Sequence, residues 1–227
     1  MLGDWGMLAE DLIPRLFAMA SGSSGAAAFW DQRYRDGSDG WELGRPAPPL
    51  RHFFQADRRA PQPPGLVLVP GCGRGHEAAL LAAGGFQAVG LDFSAAALAE
   101  ARRLHGDRGT QLRWLQANLL DRQALEAQGL GAGSLSGVLE HTCFCAIDPA
   151  QRNAYLAQLH HLLKPNGWLL GLFWCHSRQG GPPYGSDPQQ LYQQLSGAGF
   201  LPELWEPAQG SLQSREDEWL ALWRRTR

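Results

Sequence analysis

The stretch from Leu66 to Ala78 constrains this chain more than any other, because an apolar run ends there in alternating glycines, LVLVPGCGRGHEA. Such a pattern predicts a buried strand, a tight turn and the start of a helix. Gly71, Gly73 and Gly75 carry no Cβ where the chain turns, so the backbone can take positive φ and a ligand can lie directly against it. The turn is therefore predicted to bind a ligand.

The spacing of these glycines indicates the kind of ligand. Gly-x-Gly-x-Gly lacks the wider step of the G-x-G-x-x-G motif, which places a pyrophosphate on a helix N-terminus. A second apolar run ends at Asp92, about twenty residues after the first glycine, where a doubly wound sheet places the carboxylate that binds a ribose diol. The alternative for Asp92 is an N-terminal cap ahead of the helix that Ser94 opens. Together the two features favour a nucleotide-type site.

Size, charge and cysteine usage narrow the class of protein. The chain has 227 residues, of which 44% are hydrophobic, as expected for one α/β domain. Its net charge is −2 and Lys164 is its only lysine, which does not fit a nucleic-acid surface. No apolar run is long enough for a membrane span or a signal peptide. We expect a cytoplasmic monomer that binds neither nucleic acid, membrane nor metal, with free thiols at Cys72, Cys143, Cys145 and Cys175.

The alternation of segments predicts a Rossmann-like α/β fold, a doubly wound and mostly parallel sheet with an antiparallel last strand. Residues 1–28 are predicted to form an N-terminal helix over 5–19 and a flexible Ser/Gly/Ala linker over 21–28, ahead of a single domain at 29–227. Strands are expected at 66–69, 88–91, 111–116, 137–140, 168–174, 200–206 and 218–223. Helices are expected at 77–83, 95–104, 123–128, 150–163 and 188–198.

An aromatic cluster opens the predicted domain. Trp30 and Tyr34 lie four residues apart, hence on one face of a helix, and Trp41 follows a glycine-rich turn. Core packing is one interpretation of this cluster. The other is that the ring faces attract a cation such as a sulfonium or ammonium group, at roughly 0.5–2 kcal/mol each.

Further polar residues follow the predicted strands, where ligands of parallel sheets collect. Asn118 and Leu119 follow the third strand, and an adenine edge could bond to the Asn118 side chain and the Leu119 backbone amide. An ordinary polar turn is the alternative. Glu140 and His141 end the fourth strand.

Several motifs occur in a fixed order: VPGCGRGHE at 69–77, FCAIDP at 144–149 and GGPPY at 180–184, with the aromatic cluster ahead of them and LKPNG at 163–167. They resemble the thiopurine S-methyltransferase superfamily, which includes thiol and halide methyltransferases. The resemblance covers residues 29 to about 224. It implies a Rossmann-like methyltransferase that uses S-adenosylmethionine, with the N-terminal aromatics closing over this cofactor.

Carried over position by position, the resemblance implies roles for individual residues. The turn glycines would lie along the methionine and ribose portions of the cofactor. Asp92 would bind the ribose hydroxyls, and Glu140 would lie near the methionine amino group. The family has aspartates at the positions of Asn118 and Glu140, and often aromatic residues at those of His141 and Cys143. The implied cofactor-binding set is Trp30, Tyr34, Trp41, Gly71, Gly73, Asp92, Asn118, Leu119 and Glu140.

The predicted acceptor is a small nucleophile, and methyl transfer to it depends mainly on positioning. A halide or bisulfide needs no base, whereas a thiol with a pKa of about 8.5 would benefit from a nearby cation or base. His141, Tyr184 and Arg152 are the predicted catalytic residues; Arg152 matches an arginine that the thiopurine branch places near the acceptor. Core packing for His141, loop packing for Tyr184 and an exposed helix position for Arg152 are the alternatives.

The resulting hypothesis is a methyltransferase that acts on a thiol, bisulfide or halide and releases S-adenosylhomocysteine. The Trp-x3-aromatic-x6-Trp run favours this branch over the alternative, a thiopurine-type aromatic thiol methyltransferase. A non-catalytic S-adenosylmethionine-binding protein is a second class of hypothesis. An NAD-linked oxidoreductase is disfavoured because the glycine spacing lacks the pyrophosphate step.

Overall fold

The computed structural model describes residues 23–226, so the helix predicted over 5–19 lies outside them. Within these residues a seven-stranded sheet has the order β3-β2-β1-β4-β5-β7-β6. Its strands are β1 (Leu66–Pro70), β2 (Gln87–Asp92), β3 (Leu112–Gln116), β4 (Leu135–His141), β5 (Leu163–Trp174), β6 (Phe200–Pro207) and β7 (Glu218–Arg225). The helices are α1 (Ser23–Asp36), α2 (Pro48–Ala56), α3 (His76–Ala83), α4 (Ala95–His105), α5 (Arg122–Ala127), α6 (Arg152–Leu162) and α7 (Pro188–Gly197).

The strand order creates a crevice at the centre of the sheet. From β1 the chain runs outward through β2 to β3 and then crosses back, so that β4 pairs with β1 on its other side. In doubly wound sheets ligands bind at this reversal, beyond the carboxyl ends of the strands. Strand β7 lies between β5 and β6 and is antiparallel to both. The predicted doubly wound, mostly parallel sheet with an antiparallel last strand is confirmed.

Both faces of the sheet are covered, which explains why the central strands are continuous apolar runs. Neighbouring residues of one strand enter different cores: Val138 of β4 belongs to one buried cluster and Leu139 to the other. Side chains at the end of β4 follow the same alternation. Glu140 therefore shares a face with Val138, and His141 shares a face with Leu139.

Two helices differ from the prediction. Helix α1 begins at Ser23, so residues 23–28 of the predicted linker are helical, in keeping with the high helix propensity of their alanines. Helix α2 was not predicted, because residues 46–49 are rich in proline. Pro48 and Pro49 occupy its first turn, where a missing N–H costs no hydrogen bond, and Leu50 and Phe53 bury its inner face.

Apart from β5, the remaining boundaries agree with the predicted ones to within two residues. The helix predicted over 150–163 consists of a short 3-10 turn, Pro149–Gln151, followed by α6. Strand β5 begins at Leu163, five residues before the prediction of 168. Across residues 23–226, none of the helices has the length and apolar character that crossing a membrane requires.

Candidate functional site

A cavity of ≈ 510 Å³ opens at the carboxyl edge of the sheet, above the crevice between β1 and β4. Its walls come from α1 and the loop after it, from the glycine turn, and from the ends of β2, β4 and β5. The segments at 178–183 and 214–215 complete the wall. The cavity brings together five of the residues predicted from sequence, which are Trp30, Tyr34, Trp41, Gly71 and Asp92.

The glycine turn needs glycine for two physical reasons. Gly71 and Gly73 have φ of +55° and +51°, which side-chain-bearing residues rarely adopt. A Cβ on Gly71 would also lie 2.7 Å from Cys143 Sγ, and one on Gly73 would lie 2.7 Å from the Tyr34 hydroxyl. The turn is thus in direct contact with the residues above it.

Asp92 ties the glycine turn to the end of β2. Its side chain is buried and accepts hydrogen bonds from Gly73 N through Oδ2 at 3.0 Å and from Ser94 N through Oδ1 at 2.9 Å. Burial raises the pKa of this carboxyl to about 6. The cap of α4 is Ser94, which accepts from Ala97 N. The alternative interpretation of Asp92 as the helix cap is therefore wrong.

The three predicted aromatics form one cluster over the turn. The ring centroids of Trp30 and Trp41 are 5.1 Å apart and those of Tyr34 and Trp41 are 5.8 Å apart, both in edge-to-face geometry. Trp41 Nε1 donates to the Tyr34 hydroxyl at 3.4 Å. All three are partly exposed, and none belongs to the buried core clusters found in residues 23–226. Core packing does not account for them, since they line the cavity instead.

Helix α1 carries two of these rings and is docked through Asp31. Asp31 Oδ1 accepts from Ser94 Oγ at 2.5 Å and from Ala96 N at 3.0 Å, so the carboxylate lies at the N-terminus of α4. Although desolvation alone would raise the pKa of Asp31, these hydrogen bonds lower it below its usual value. An anion at a helix N-terminus is favoured by the backbone dipoles.

The loop that carries Trp41 is held by side chains of the glycine turn. Arg74 Nη2 pairs with Asp39 Oδ2 at 2.6 Å, and His76 Nε2 lies 3.0 Å from Glu42 Oε1. No individual role was predicted for Arg74 or His76. Their contacts show that one segment both shapes the floor of the cavity and holds its cover.

The predicted role of Glu140 differs from its contacts. Glu140 does not line the cavity: it is buried beneath the turn after β4, where Oε1 accepts from Phe144 N at 2.5 Å. Burial raises the pKa of this carboxyl to about 7. The turn that it supports has Thr142 at φ of 62°, a conformation uncommon for a β-branched residue. Thr142 and Cys143 line the cavity in its place.

His141 also lies outside the cavity, on the other face of β4. Its Nδ1 is 3.0 Å from Glu77 Oε1 and its Nε2 is 3.3 Å from Arg215 Nη1. Burial opposes protonation, but the Glu77 carboxylate outweighs it and raises the pKa of His141. Arg215 does line the cavity, and it donates to the Trp41 carbonyl oxygen at 2.5 Å. His141 therefore supports a cavity residue rather than facing the cavity itself.

Arg152 and Tyr184 line a neighbouring groove instead of the cavity. Arg152 is 6% exposed, so the alternative of an exposed helix arginine is wrong. Its Nη1 donates to Gly185 O at 3.0 Å and to Ser186 Oγ at 3.1 Å, and its Nη2 donates to Tyr184 O at 3.1 Å. Its guanidinium also covers the Phe144 ring. Arg152 fixes the loop at 184–186.

The residues after β3 do not line the cavity either. Asn118 is exposed and its Oδ1 accepts from Leu120 N at 3.0 Å, as in an ordinary polar turn. Leu119 is buried in the apolar core. Phe93, which follows Asp92 directly, lines the cavity and was missed from sequence.

The charge of the cavity lining comes mainly from residues that the sequence analysis missed. Over residues 23–226, the lining of the cavity contains one acidic residue, Asp92, and three arginines. Among the lining residues in the described part of the chain there is no histidine or lysine. Burial raises the pKa of Cys145 to about 12 and that of Cys143 well above its usual range, so both stay neutral thiols. The lining arginines are Arg33, Arg178 and Arg215.

Comparison with known proteins adds independent information. The family model described as Thiopurine S-methyltransferase matches residues 25–219. The chain is 30% identical to probable thiol methyltransferase 2 of Arabidopsis thaliana over 194 residues, 84% of this chain and 79% of that protein. It is 30% identical to thiocyanate methyltransferase 1 of the same plant over 174 residues, 75% of this chain and 72% of that protein.

A solved structure is similar in fold. The 1,6-didemethyltoxoflavin-N1-methyltransferase of Burkholderia thailandensis superposes with a TM-score of 0.66 over 99% of this chain and 94% of that one, at 20% identity. That protein was crystallised with S-adenosylhomocysteine bound.

Proposed function

The chain belongs to the thiopurine S-methyltransferase family, and from this premise we propose that it methylates a small nucleophile that is already an anion at neutral pH. It is an S-adenosylmethionine-dependent methyltransferase. Bisulfide, a halide or a pseudohalide such as thiocyanate is the proposed acceptor. An aliphatic thiol would react only as its thiolate.

The residues of the cavity fit the cofactor. Gly71 lines the cavity in a left-handed conformation with no side chain, and Asp92 offers a buried carboxylate with lone pairs left for ribose hydroxyls. Trp30, Tyr34 and Trp41 offer ring faces that would attract a sulfonium. When bound, S-adenosylmethionine supplies the methyl group on a positively charged sulfur. The aromatic cover would exclude water and hold the acceptor in line, which contributes roughly 7–11 kcal/mol in favourable cases.

The observation that carries the acceptor class is the charge of the lining. Three arginines line the cavity against one carboxylate, which favours an anion. Because Glu218 Oε1 lies 3.7 Å from Arg215 Nη1, the attraction comes mainly from the other two arginines.

Of the two residues predicted to help the acceptor, His141 contacts Glu77 and Arg215, and Tyr184 lines the neighbouring groove and not the cavity. Asp92, the carboxylate of the lining, is assigned to the ribose hydroxyls, so a neutral thiol has no other base among the described lining residues to take its proton. An acceptor that needs no deprotonation fits this arrangement.

The pH dependence of turnover tests this proposal. With iodide, the rate of S-adenosylhomocysteine release should stay level between about pH 7 and 9. With 2-mercaptoethanol, the rate should rise in step with the thiolate fraction, about tenfold per pH unit well below the pKa of the thiol. A level profile with the aliphatic thiol would show that the enzyme supplies a base, and an aromatic thiol preferred over every small anion would favour the thiopurine-type activity.

Arg178 offers a direct test of the anion preference. Its guanidinium lies at the rim of the cavity and is in no ion pair within residues 23–226. We expect Arg178→Gln to raise the KM for iodide or bisulfide roughly five- to tenfold, because about 1 kcal/mol of charge attraction is lost. The KM for S-adenosylmethionine should change little. Arg113→Gln, at an exposed arginine that bonds Gln128 O, is the matched control; equal effects of both variants would contradict the assignment.

Asp31 tests whether the docking of α1 matters for the cofactor. Asp31→Asn removes the charge from two hydrogen bonds that dock α1 on the N-terminus of α4. The aromatic cluster of Trp30, Tyr34 and Trp41 should therefore close less completely over the cofactor. We expect S-adenosylhomocysteine to bind about tenfold more weakly, which corresponds to about 1.4 kcal/mol. Isothermal calorimetry measures this directly. Asp36→Asn, at the C-terminal end of α1, is the control. Unchanged affinity in Asp31→Asn would mean that the aromatic cluster closes without this contact.

A further inference from the structure

The segment that joins Trp41 to helix α2 is held at both ends by buried side chains. At its start, the Trp41 carbonyl oxygen accepts from Arg215 Nη2 at 2.5 Å. At its end, Ala47 N donates to Glu77 Oε1 at 3.0 Å. Arg215 is 5% exposed and Glu77 is 8% exposed. The position of Trp41 therefore depends on groups that lie far from it in the sequence.

His141 connects these two anchors. Its Nδ1 lies 3.0 Å from Glu77 Oε1, and its Nε2 lies 3.3 Å from Arg215 Nη1. A guanidinium only donates, so a hydrogen bond between His141 and Arg215 requires Nε2 to accept. The neutral ring then carries its hydrogen on Nδ1 and donates it to Glu77. Glu77, His141 and Arg215 together form a buried bridge from the Trp41 carbonyl oxygen to Ala47 N.

The buried bridge joins separate parts of the sheet. Glu77 lies in the first turn of α3, His141 is the last residue of β4, and Arg215 ends a 3-10 turn ahead of β7. Glu218 Oε1 lies 3.7 Å from Arg215 Nη1 and 4.0 Å from His141 Nε2, so a second carboxyl group faces the guanidinium. Removing one member of such a buried set leaves the others without compensation. The bridge therefore gives Arg215 a fixed position.

We propose that Glu77 and His141 are positioning residues, which hold the Arg215 guanidinium so that it keeps the Trp41 ring over the cofactor. Neither Glu77 nor His141 lines the cavity, so both would act only through Arg215 and Trp41. Trp41 packs edge to face on the other two rings of the aromatic cluster, so its displacement would loosen the whole cluster. The effect on the cofactor rests on the proposed placement of S-adenosylmethionine under these rings, whereas the buried bridge does not.

The ring of His141 gives a spectroscopic test in the full chain without substitution. Nitrogen-15 NMR of the histidine rings reports which ring nitrogen carries the hydrogen. Although burial alone would lower the pKa of His141, the Glu77 carboxylate raises it, so the measurement is made at the high-pH end of the ring's titration. We expect the hydrogen on Nδ1. A neutral His141 ring with its hydrogen on Nε2 could not accept from Arg215 and would overturn the proposal.

Calorimetry with S-adenosylhomocysteine measures the effect on the cofactor. Glu77→Met removes the acceptor, whereas Glu77→Gln keeps an oxygen that can accept from Ala47 N and His141 Nδ1. We expect about tenfold weaker binding in Glu77→Met and at most about a twofold change in Glu77→Gln. Equal losses in the two variants would show that the charge of Glu77 matters and not its hydrogen bonds, which would overturn the bridge.

Arg215→Lys tests the bridge at its other end. It keeps the positive charge but replaces two donor nitrogens by one, so S-adenosylhomocysteine should again bind about tenfold more weakly. His161→Phe, on α6 and away from the cavity, is the control and should leave the affinity unchanged.

Trp41→Ala separates the bridge from the placement of the cofactor. We expect this variant to lose at least about tenfold in affinity for S-adenosylhomocysteine, because a ring face over the cofactor is gone. A loss in Trp41→Ala without any loss in Glu77→Met and Arg215→Lys would overturn the positioning role and leave the cofactor site standing. Unchanged affinity in Trp41→Ala would overturn the placement of the cofactor, and with it the positioning role.

Discussion

Asp92→Asn is expected to weaken S-adenosylhomocysteine binding by roughly 100-fold or more. Both carboxylate oxygens accept from backbone N–H groups, of Gly73 and Ser94. An asparagine must turn its NH₂ toward one of them, which leaves a buried donor without an acceptor and disturbs the glycine turn. Losing that bond and the charge together costs about 3 kcal/mol or more. Calorimetry measures the loss.

Asp121→Asn is the matched control for this variant. Asp121 also accepts a backbone hydrogen bond, from Ala124 N, but it caps α5 away from the cavity. We expect that variant to change stability little, because asparagine caps a helix about as well as aspartate, and to lose no cofactor affinity. Equal losses of affinity in both variants would contradict the place of Asp92 in the site.

The same carboxyl predicts the pH dependence of cofactor binding. Burial raises the pKa of Asp92 to about 6 from an ordinary value of 3.8. Below about pH 6 the protonated form presents an O–H where an acceptor is needed, so affinity should fall about tenfold per pH unit. Stability should move the other way, because an acid with a raised pKa in the folded state stabilises the fold at low pH and loses that contribution between about pH 3.8 and 6. A level affinity between pH 5 and 8 would contradict the account.

Gly73→Ala should remove activity almost entirely while the protein stays folded. The added Cβ would lie 2.7 Å from the Tyr34 hydroxyl, so the cover must move away from the turn. The φ of +51° adds strain of roughly 1–2 kcal/mol. We expect kcat/KM for S-adenosylmethionine, measured at saturating iodide, to fall at least about 100-fold.

Two further variants distinguish the steric collision with Tyr34 from the backbone strain at position 73. Gly129→Ala carries similar strain, with φ of +79°, but its Cβ would meet nothing within 4 Å, so only stability should fall. In the double variant Gly73→Ala with Tyr34→Phe, the colliding hydroxyl is gone and part of the activity should return. A double variant no better than Gly73→Ala would show that backbone strain, and not the cover, causes the loss.

The fold was predictable because its strands are uninterrupted apolar runs bounded by turns. The floor of the cavity was predictable as well, since three glycines at a strand end have few structural uses. The role of Glu140 and His141 was harder to infer. Both faces of β4 are buried, so Val138 and Leu139 are equally apolar and periodicity does not indicate which residue at the strand end faces the cavity.

The charged part of the site depends on contacts between distant segments. Arg215 reaches the Trp41 carbonyl across 174 positions of sequence, and Arg178 follows β5 by four residues. No local pattern marks either arginine as a cavity residue. The opposite holds for Arg152. Its sequence position predicted a place near the acceptor, but its side chain donates hydrogen bonds to the loop at 184–186 instead.

Methyl transfer itself tests the central claim most directly. The purified protein would be incubated with methyl-labelled S-adenosylmethionine and either iodide or bisulfide, and both products would be quantified. We predict labelled iodomethane or methanethiol in equal amount to S-adenosylhomocysteine, with both products lost in Gly73→Ala. Tight S-adenosylhomocysteine binding without a methylated product from these anions, thiocyanate or an aromatic thiol would contradict the claim and identify a protein that binds the cofactor without turning it over.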